Sequence, residues 1–317
     1  MSTGLAGPAN LCRKGAEEVG DGSRRLVTIR VVSADQGGLG AVKIEAGQVA
    51  VVTGGASGLG LALAEALSER GVDLVIADVE EDALEAAVET VSSGGGTAIG
   101  MVTDVREPAE VDALARTTLE RFGRIDLVCN NAGVTASPVA MWEVPPNDWE
   151  WVLAVNLRGV INGICAFVPH LVEQDSGHVV NTASMAGLTV APYNGPYLAS
   201  KHAVVALSEA LALELGYTAP GVGVTVVCPG MIDTRIATAE RNRPSGLPGA
   251  DGQPTEAEFD RLIEWTNTIS GPPISAAEAA AIVLSAVETN TLHVAPNGLD
   301  ALVRERVDRL LTDLEPG

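Results

Sequence analysis

Along the chain, short apolar runs alternate with longer stretches in which apolar residues recur at helical spacing. The runs lie at residues 47–52, 72–77, 97–102, 125–129, 178–182 and 223–228. They are rich in Val and Ile with little polar alternation, the pattern of strands buried on both faces. Helical periodicity follows at 61–70, from Glu80 onward, at 108–122, from 148 to about 171, and at 197–215, with Gly216 placed as a C-cap. This β-α alternation predicts an α/β fold built on a doubly wound parallel sheet. Beyond it, a helix at 275–289, a strand at 292–295 and a charged helix at 299–314 are expected.

Composition narrows the function classes. Apolar residues make up 46% of the 317 and aromatics only 3%, so Ala, Val, Leu and Gly must carry the packing. A formal net charge of −21, with no basic patch, argues against nucleic-acid or anionic-membrane partners. No apolar run reads as membrane-spanning and the N-terminus lacks a signal pattern, so the expected location is the cytoplasm. Cys12, Cys129, Cys165 and Cys228 form no Cys-x-x-Cys and read as free, mostly buried thiols. The four histidines are not at ligand spacing, and no metal site is expected.

Candidate chemistry collects at the ends of the apolar runs. The first run passes into Thr53-Gly-Gly-Ala-Ser-Gly-Leu-Gly60 and then a helix, the context of a dinucleotide-binding turn, although the spacing is Gly-x-x-x-Gly-x-Gly. Glycine in such a turn permits the tight bend and lets the backbone approach a pyrophosphate, whose charge is met by the helix's N-terminal amides. Asp78 ends the second run, where a carboxylate accepts ribose hydroxyls and repels a 2′-phosphate. With no cation at Ser57 or Val79 to offset it, NAD is preferred over NADP. Asp78 also reads as a cap for the following helix.

Asn130-Asn-Ala-Gly133 ends the fourth run, and Pro229-Gly-Met-Ile-Asp-Thr234 the last; either is also an ordinary turn. Ser184 follows the fifth run, and Tyr197 and Lys201 stand four apart, on one face of a helix. A lysine beside a phenol favours the phenolate and brings Tyr197 into range as a general base. Tyr193 lies too early for both Ser184 and Lys201. Asn156, inside an apolar helix that disfavours it, reads as retained for a purpose. Trp142, Trp149 and Trp151 read as core or subunit packing.

Taken together and in order, residues 53–60, Asp104, residues 130–133, Ser184 and Tyr197-x-x-x-Lys201 resemble the short-chain dehydrogenase/reductase family, over about 46–235 and more loosely beyond. The resemblance implies a Rossmann fold. It further implies cofactor contacts at Thr53, Gly54, Ser57, Gly58, Leu59, Gly60, Asp78, Asp104, Val105, Asn131, Ala132, Gly133, Tyr197, Lys201, Pro229, Gly230, Ile232 and Thr234, the last two holding the nicotinamide carboxamide. Implied catalytic residues are Asn156, holding a relay water, Ser184, Tyr197 and Lys201. The reaction the resemblance implies is reversible hydride transfer between NAD(H) and a secondary alcohol or ketone. A homodimer or homotetramer is implied, paired through the helices bearing Asn156 and Tyr197. Val134, Met185, Leu188, Val190, Pro192 and Ile236 are expected to line a hydrophobic substrate pocket.

Residues 1–45 read as a flexible extension with an apolar patch at 26–32 suited to an edge strand. Residues 46–317 read as the catalytic domain, with a Pro/Gly-rich lid at about 236–274 that includes a helix at 256–265. Two rival readings are a non-catalytic nucleotide-binding sensor or scaffold and a methyltransferase. Neither gives Ser184, Tyr197 and Lys201 a joint role.

Overall fold

Seven parallel strands form one sheet in the order β3-β2-β1-β4-β5-β6-β7. The structure, a computed structural model, describes residues 43–249, 257, 260, 261, 264, 273–297 and 300–315. The patch at 26–32 and most of the proposed helix at 256–265 lie outside these residues. The strands are β1 Val49–Thr53, β2 Asp73–Asp78, β3 Ala98–Val102, β4 Leu127–Asn130, β5 Gly177–Thr182, β6 Val222–Val227 and β7 His293–Val294. Helices α1 Gly58–Ser68, α2 Glu81–Ser92, α3 Pro108–Phe122, α4 Pro146–Leu153, α5 Gly159–Gln174, α6 Gly195–Thr218, α7 Ala276–Glu288 and α8 Asp300–Leu314 complete the alternation.

The alternation of side chains along a strand divides the core into two layers. Ala50, Val52, Leu74 and Ile76 point to one face and pack with Leu63 and Leu67 of α1 and Val283 and Leu284 of α7. Val51, Val75 and Val128 point to the other, against Leu114 of α3, Phe167 and Leu171 of α5, and Leu211 and Leu215 of α6. Each fully buried Leu or Phe contributes about 1.5–3 kcal/mol relative to exposure. Val51 pairs with Val75 on one side and Val128 on the other, so β1 is central and every residue in it is buried.

Several expectations need correction. The helix expected over 148–171 is α4 and α5 joined by a π-helical turn, Ala154–Arg158, with Asn156 at its centre. The whole run, Pro146–Gln174, is long and apolar enough by length and composition to cross a membrane, contrary to the sequence reading. Here it packs on α3, β4 and β5 as a core helix. Glycine makes that contact possible, because a Cβ at Gly163 would collide with the Asn130 side chain. Helix α6 continues to Thr218, so Gly216 sits in its last turn rather than capping it. The N-cap of α2 is Glu80, not Asp78. Cys129 and Cys228 are buried but Cys165 is exposed.

Beneath the sheet's far end, His178 is fully buried. Its Nε2 lies 2.8 Å from Thr225 Oγ1, which itself donates to Thr291 O at 2.9 Å. The hydroxyl proton is thus committed, so the ring donates from Nε2. Burial pushes the imidazole down to about 3 from 6.5. An unfolded chain takes up a proton between those values while the folded chain does not, so stability falls as pH drops through this window. Between pH 7.5 and 5.5 the urea midpoint should fall further for the parent than for His178→Gln. Equal falls would reject His178 as the cause.

Candidate active site

The chain reverses its direction across the sheet between β1 and β4, and at such a point a crevice opens beyond the strand ends. Thr53 spans it: Oγ1 accepts from Asn131 N at 3.0 Å and Ala132 N at 3.2 Å, and donates to Cys129 O at 3.3 Å. Asn131 Nδ2 donates to the Thr53 and Gly54 carbonyls, and Thr182 donates to its Oδ1. Thr53 and Asn131, expected as cofactor contacts, and Thr182 are used largely to tie together the loops after β1, β4 and β5.

The glycine loop needs its glycines. Gly54 and Gly58 have φ of 62° and 55°, in the left-handed region. A Cβ on Gly54 would sit 2.8 Å from Ala132 Cα, one on Gly58 would reach Thr234 at 3.0 Å, and one on Gly60 would strike the Gly54 carbonyl. Ser57 is the N-cap of α1 but makes no capping bond, so the first amides of the helix remain for an incoming anion. Ser57, Gly58 and Leu59 line a cavity of about 900 Å³, within the range of small-molecule sites.

Asp78, also on the wall, accepts from three backbone amides. Oδ2 takes Ala56 N at 3.0 Å; Oδ1 takes Val79 N at 2.8 Å and Glu80 N at 3.2 Å. Of roughly four lone-pair positions, about one remains. Asp104 is gripped by the Arg106 guanidinium, which raises the pKa of Arg106. Val105, Ala132, Gly133, Pro229, Gly230, Ile232 and Thr234 all line the cavity.

Ser184, Tyr197 and Lys201 meet at the other end of the same cavity. Ser184 emerges after β5, as its position in the sequence predicts. Its Oγ accepts from Ala186 N at 3.1 Å and donates to Pro229 O at 3.4 Å. Lys201 Nζ donates to Thr182 O at 2.8 Å and lies 5.6 Å from the Tyr197 ring centroid. Burial draws the ammonium down to about 8. The same burial pushes the Tyr197 phenol above its ordinary value, opposed by a hydrogen bond with Ser184. The expected depression of Tyr197 by Lys201 is therefore not what the protein's own groups produce.

The π-turn aims Asn156 at the loop after β4. Its Oδ1 accepts from Val134 N at 2.8 Å, and Nδ2 donates to Val134 O at 2.9 Å and Ser200 Oγ at 3.2 Å. One lone pair on Oδ1 is left to the side chain.

Of the expected pocket residues, Val134, Met185 and Ile236 line the cavity; Leu188, Val190 and Pro192 do not. Tyr193 also lies outside the lining, with φ of 61° and its phenol 2.6 Å from Arg261 Nη1. Trp151 is buried and lines the cavity, whereas Trp142 is exposed.

Sequence reasoning missed several groups. Asn297, after β7, accepts from Gly230 N at 2.9 Å and donates to Met231 O at 2.6 Å, bracing the loop after β6. Arg235 and Arg241, on a 3-10 segment Arg235–Asn242, reach the wall beside Asp78 and pair with Glu80. Ser57 and Val79 offer no cation, as expected, but the fold brings these two arginines onto the same cavity lining as Asp78. Arg243 pairs with buried Asp148 at 2.9 Å and lies 4.1 Å above the Trp151 ring. These contacts join residues far apart in sequence, and only local acidity around Glu80 gave any signal.

A family model described as short chain dehydrogenase matches residues 48–245. The chain is 32% identical over 279 residues to a CLA biosynthesis dehydrogenase/reductase of Lactiplantibacillus plantarum, covering 85% of this chain and 95% of that protein. It is 37% identical over 260 residues to a 1-deoxy-11-beta-hydroxypentalenate dehydrogenase of Streptomyces avermitilis, covering 80% and 86%. Among solved structures, a short chain dehydrogenase/reductase from Burkholderia phymatum in complex with NAD superposes with a TM-score of 0.80 at 38% identity, covering 87% of this chain and 98% of that one.

The Lys201 site predicts a pH effect on stability. Between about 8 and the ordinary 10.5, an unfolded chain keeps a proton that the folded chain has released, so stability rises with pH. From pH 7 to 9.5 the parent should gain about 2 kcal/mol relative to Lys201→Met in chemical unfolding. A pH-independent difference would contradict a depressed lysine.

Proposed function

We propose that this chain, which belongs to the short chain dehydrogenase family, is an NAD(H)-dependent oxidoreductase interconverting an uncharged, largely apolar secondary alcohol and its ketone. The observation that carries this reading is one continuous cavity with the glycine loop and Asp78 at one end and Ser184, Tyr197 and Lys201 at the other.

The residues fit a dinucleotide. Residues 54–60 and the uncapped start of α1 suit a pyrophosphate, Asp78 an adenosine ribose, and Asp104 and Val105 the adenine. Asn131, Ala132 and Gly133 would flank the middle of the molecule. Pro229, Gly230, Ile232, Thr234 and Lys201 would hold the nicotinamide half. When bound, the nicotinamide supplies the hydride donor or acceptor.

Tyr197 handles the proton. Its raised pKa keeps the phenol protonated near neutral pH, ready to donate to a ketone oxygen. In the other direction the phenolate takes the alcohol proton, with the Ser184 hydrogen bond opposing the rise that burial imposes on the phenol. By turning its proton from the Pro229 carbonyl, Ser184 Oγ would donate to the substrate oxygen as charge develops there. Asn156 is a positioning residue through its bonds to Val134 and Ser200; a relay water would use its remaining Oδ1 lone pair.

Val134, Trp151, Met185, Leu198 and Ile236 make the substrate side apolar. Each arginine on the wall, Arg106, Arg235 and Arg241, already faces a carboxylate, which disfavours an anionic substrate. Exposed Ile161, Val172, Leu213 and Tyr217 on α5 and α6 support pairing with a second copy through these helices.

The test follows NADH absorbance with a panel of secondary alcohols, for the parent and Tyr197→Phe. The parent should turn over at least one alcohol, and the variant should lose roughly 100-fold or more while still binding NADH. Undiminished turnover by the variant would overturn the role of Tyr197, and failure to bind NADH would overturn the dehydrogenase reading.

A further inference from the structure

At the adenosine end of the cavity, the carboxylate of Glu80 gathers three side chains from the segment Arg235–Asn242. Oε1 accepts from Arg241 Nε at 3.0 Å, Arg241 Nη2 at 2.7 Å and Asn242 Nδ2 at 3.0 Å, and Oε2 lies 3.7 Å from Arg235 Nη2. The remaining nitrogen of Arg241, Nη1, donates to the Arg235 and Thr238 carbonyls and to Thr238 Oγ1. Every guanidinium nitrogen of Arg241 is therefore engaged. Asp78, Glu80, Arg235, Arg241 and Asn242 all line the same wall. Asp78 Oδ1 accepts from Glu80 N, so the two acidic residues are held in one turn.

Two carboxylates and two guanidiniums thus balance at this wall. A phosphate added there brings about two further negative charges and seeks planar, bidentate donors. Arg235 and Arg241 are donors of that kind. With Glu80 present, their charge is offset and the donors of Arg241 are occupied.

We propose that Glu80 is a specificity-determining residue that excludes a 2′-phosphorylated dinucleotide by holding Arg235 and Arg241 away from it, adding to the repulsion by Asp78. This rests on the dinucleotide reading of the cavity. It reverses the ordinary expectation that arginines beside a ribose site admit the phosphate, because here the arginines are already neutralised. The charge state of Glu80 agrees: the Arg241 hydrogen bond, chiefly, holds its pKa below the usual carboxylate range against the upward push of burial, so it stays charged at neutral pH.

The test measures dissociation constants of NADH and NADPH by fluorescence titration for the parent, Glu80→Gln, and the double variant Glu80→Gln with Arg241→Ala. The parent should prefer NADH. Removing one charge near the phosphate should improve NADPH binding relative to NADH about tenfold in Glu80→Gln, an effect that added salt weakens. The double variant should lose that gain. Because a merely structural role would weaken both ligands together, the ratio is the deciding readout. An unchanged ratio in Glu80→Gln, with the parent still binding NADH, overturns the role of Glu80 alone. A gain that survives loss of Arg241 overturns the arginine mechanism. A parent that binds neither ligand overturns the dinucleotide reading, and this inference with it.

Discussion

Where β1 and β4 part, the loops they feed leave toward opposite faces of the sheet, and the Thr53 hydroxyl bonds directly to the chain beyond β4. The rest of the site depends on this junction. Neighbouring parallel strands whose connections diverge leave a crevice, and backbone groups at its lip have lost their ladder partners. The Thr53 and Asn131 side chains satisfy those groups in place of water, and the Thr182 hydroxyl holds the Asn131 amide in position. The glycine loop is then held close enough to Ala132 that a side chain on Gly54 has no room.

Farther along the crevice, burial acts on two ionisable groups in opposite ways. It disfavours the charged form of each, so Lys201 is drawn down while Tyr197 is pushed up. The lysine, at about 8, is thereby nearer neutrality than a free side chain, while the phenol stays protonated, the Ser184 hydrogen bond opposing the upward push of burial. The stability cost of the buried lysine is partly offset by the Lys201 bond to the Thr182 carbonyl and by the apolar packing of α6 around it.

Along the crevice, the segment after β6 is fastened by charge to two separate elements. Glu80 holds Arg241 at the β2 side; Asp148, buried at the start of α4, holds Arg243 against Trp151. Burial pushes the Asp148 carboxyl up, and the Arg243 guanidinium opposes that push. Breaking such a pair leaves a buried charge uncompensated, which makes the fastening specific to this arrangement. Asn297 braces the backbone of the same loop from the chain after β7. The wall that faces a ligand is thus assembled from four separate parts of the sequence.

Local sequence was enough for the elements themselves. Helix α3 matches its predicted bounds, and the strands fall within a residue or two of theirs, because buried parallel strands are written as unbroken Val/Ile runs. Ser184, Tyr197 and Lys201 were legible for the same reason, since fixed offsets on a strand end and one helix face carry their geometry with them. The sequence did not reveal the π-turn at buried Asn156, where packing overrides local preference, or the continuation of α6 through exposed Gly216, Tyr217 and Thr218. Nor did it reveal that Asp78 binds backbone amides, or that arginines distant in the chain close on Glu80. The sequence by itself determined which residue types stand at each strand's end. Only the tertiary structure decided their partners, and with them their charge states, because burial and long-range pairing exist only once the sheet and its helices have packed.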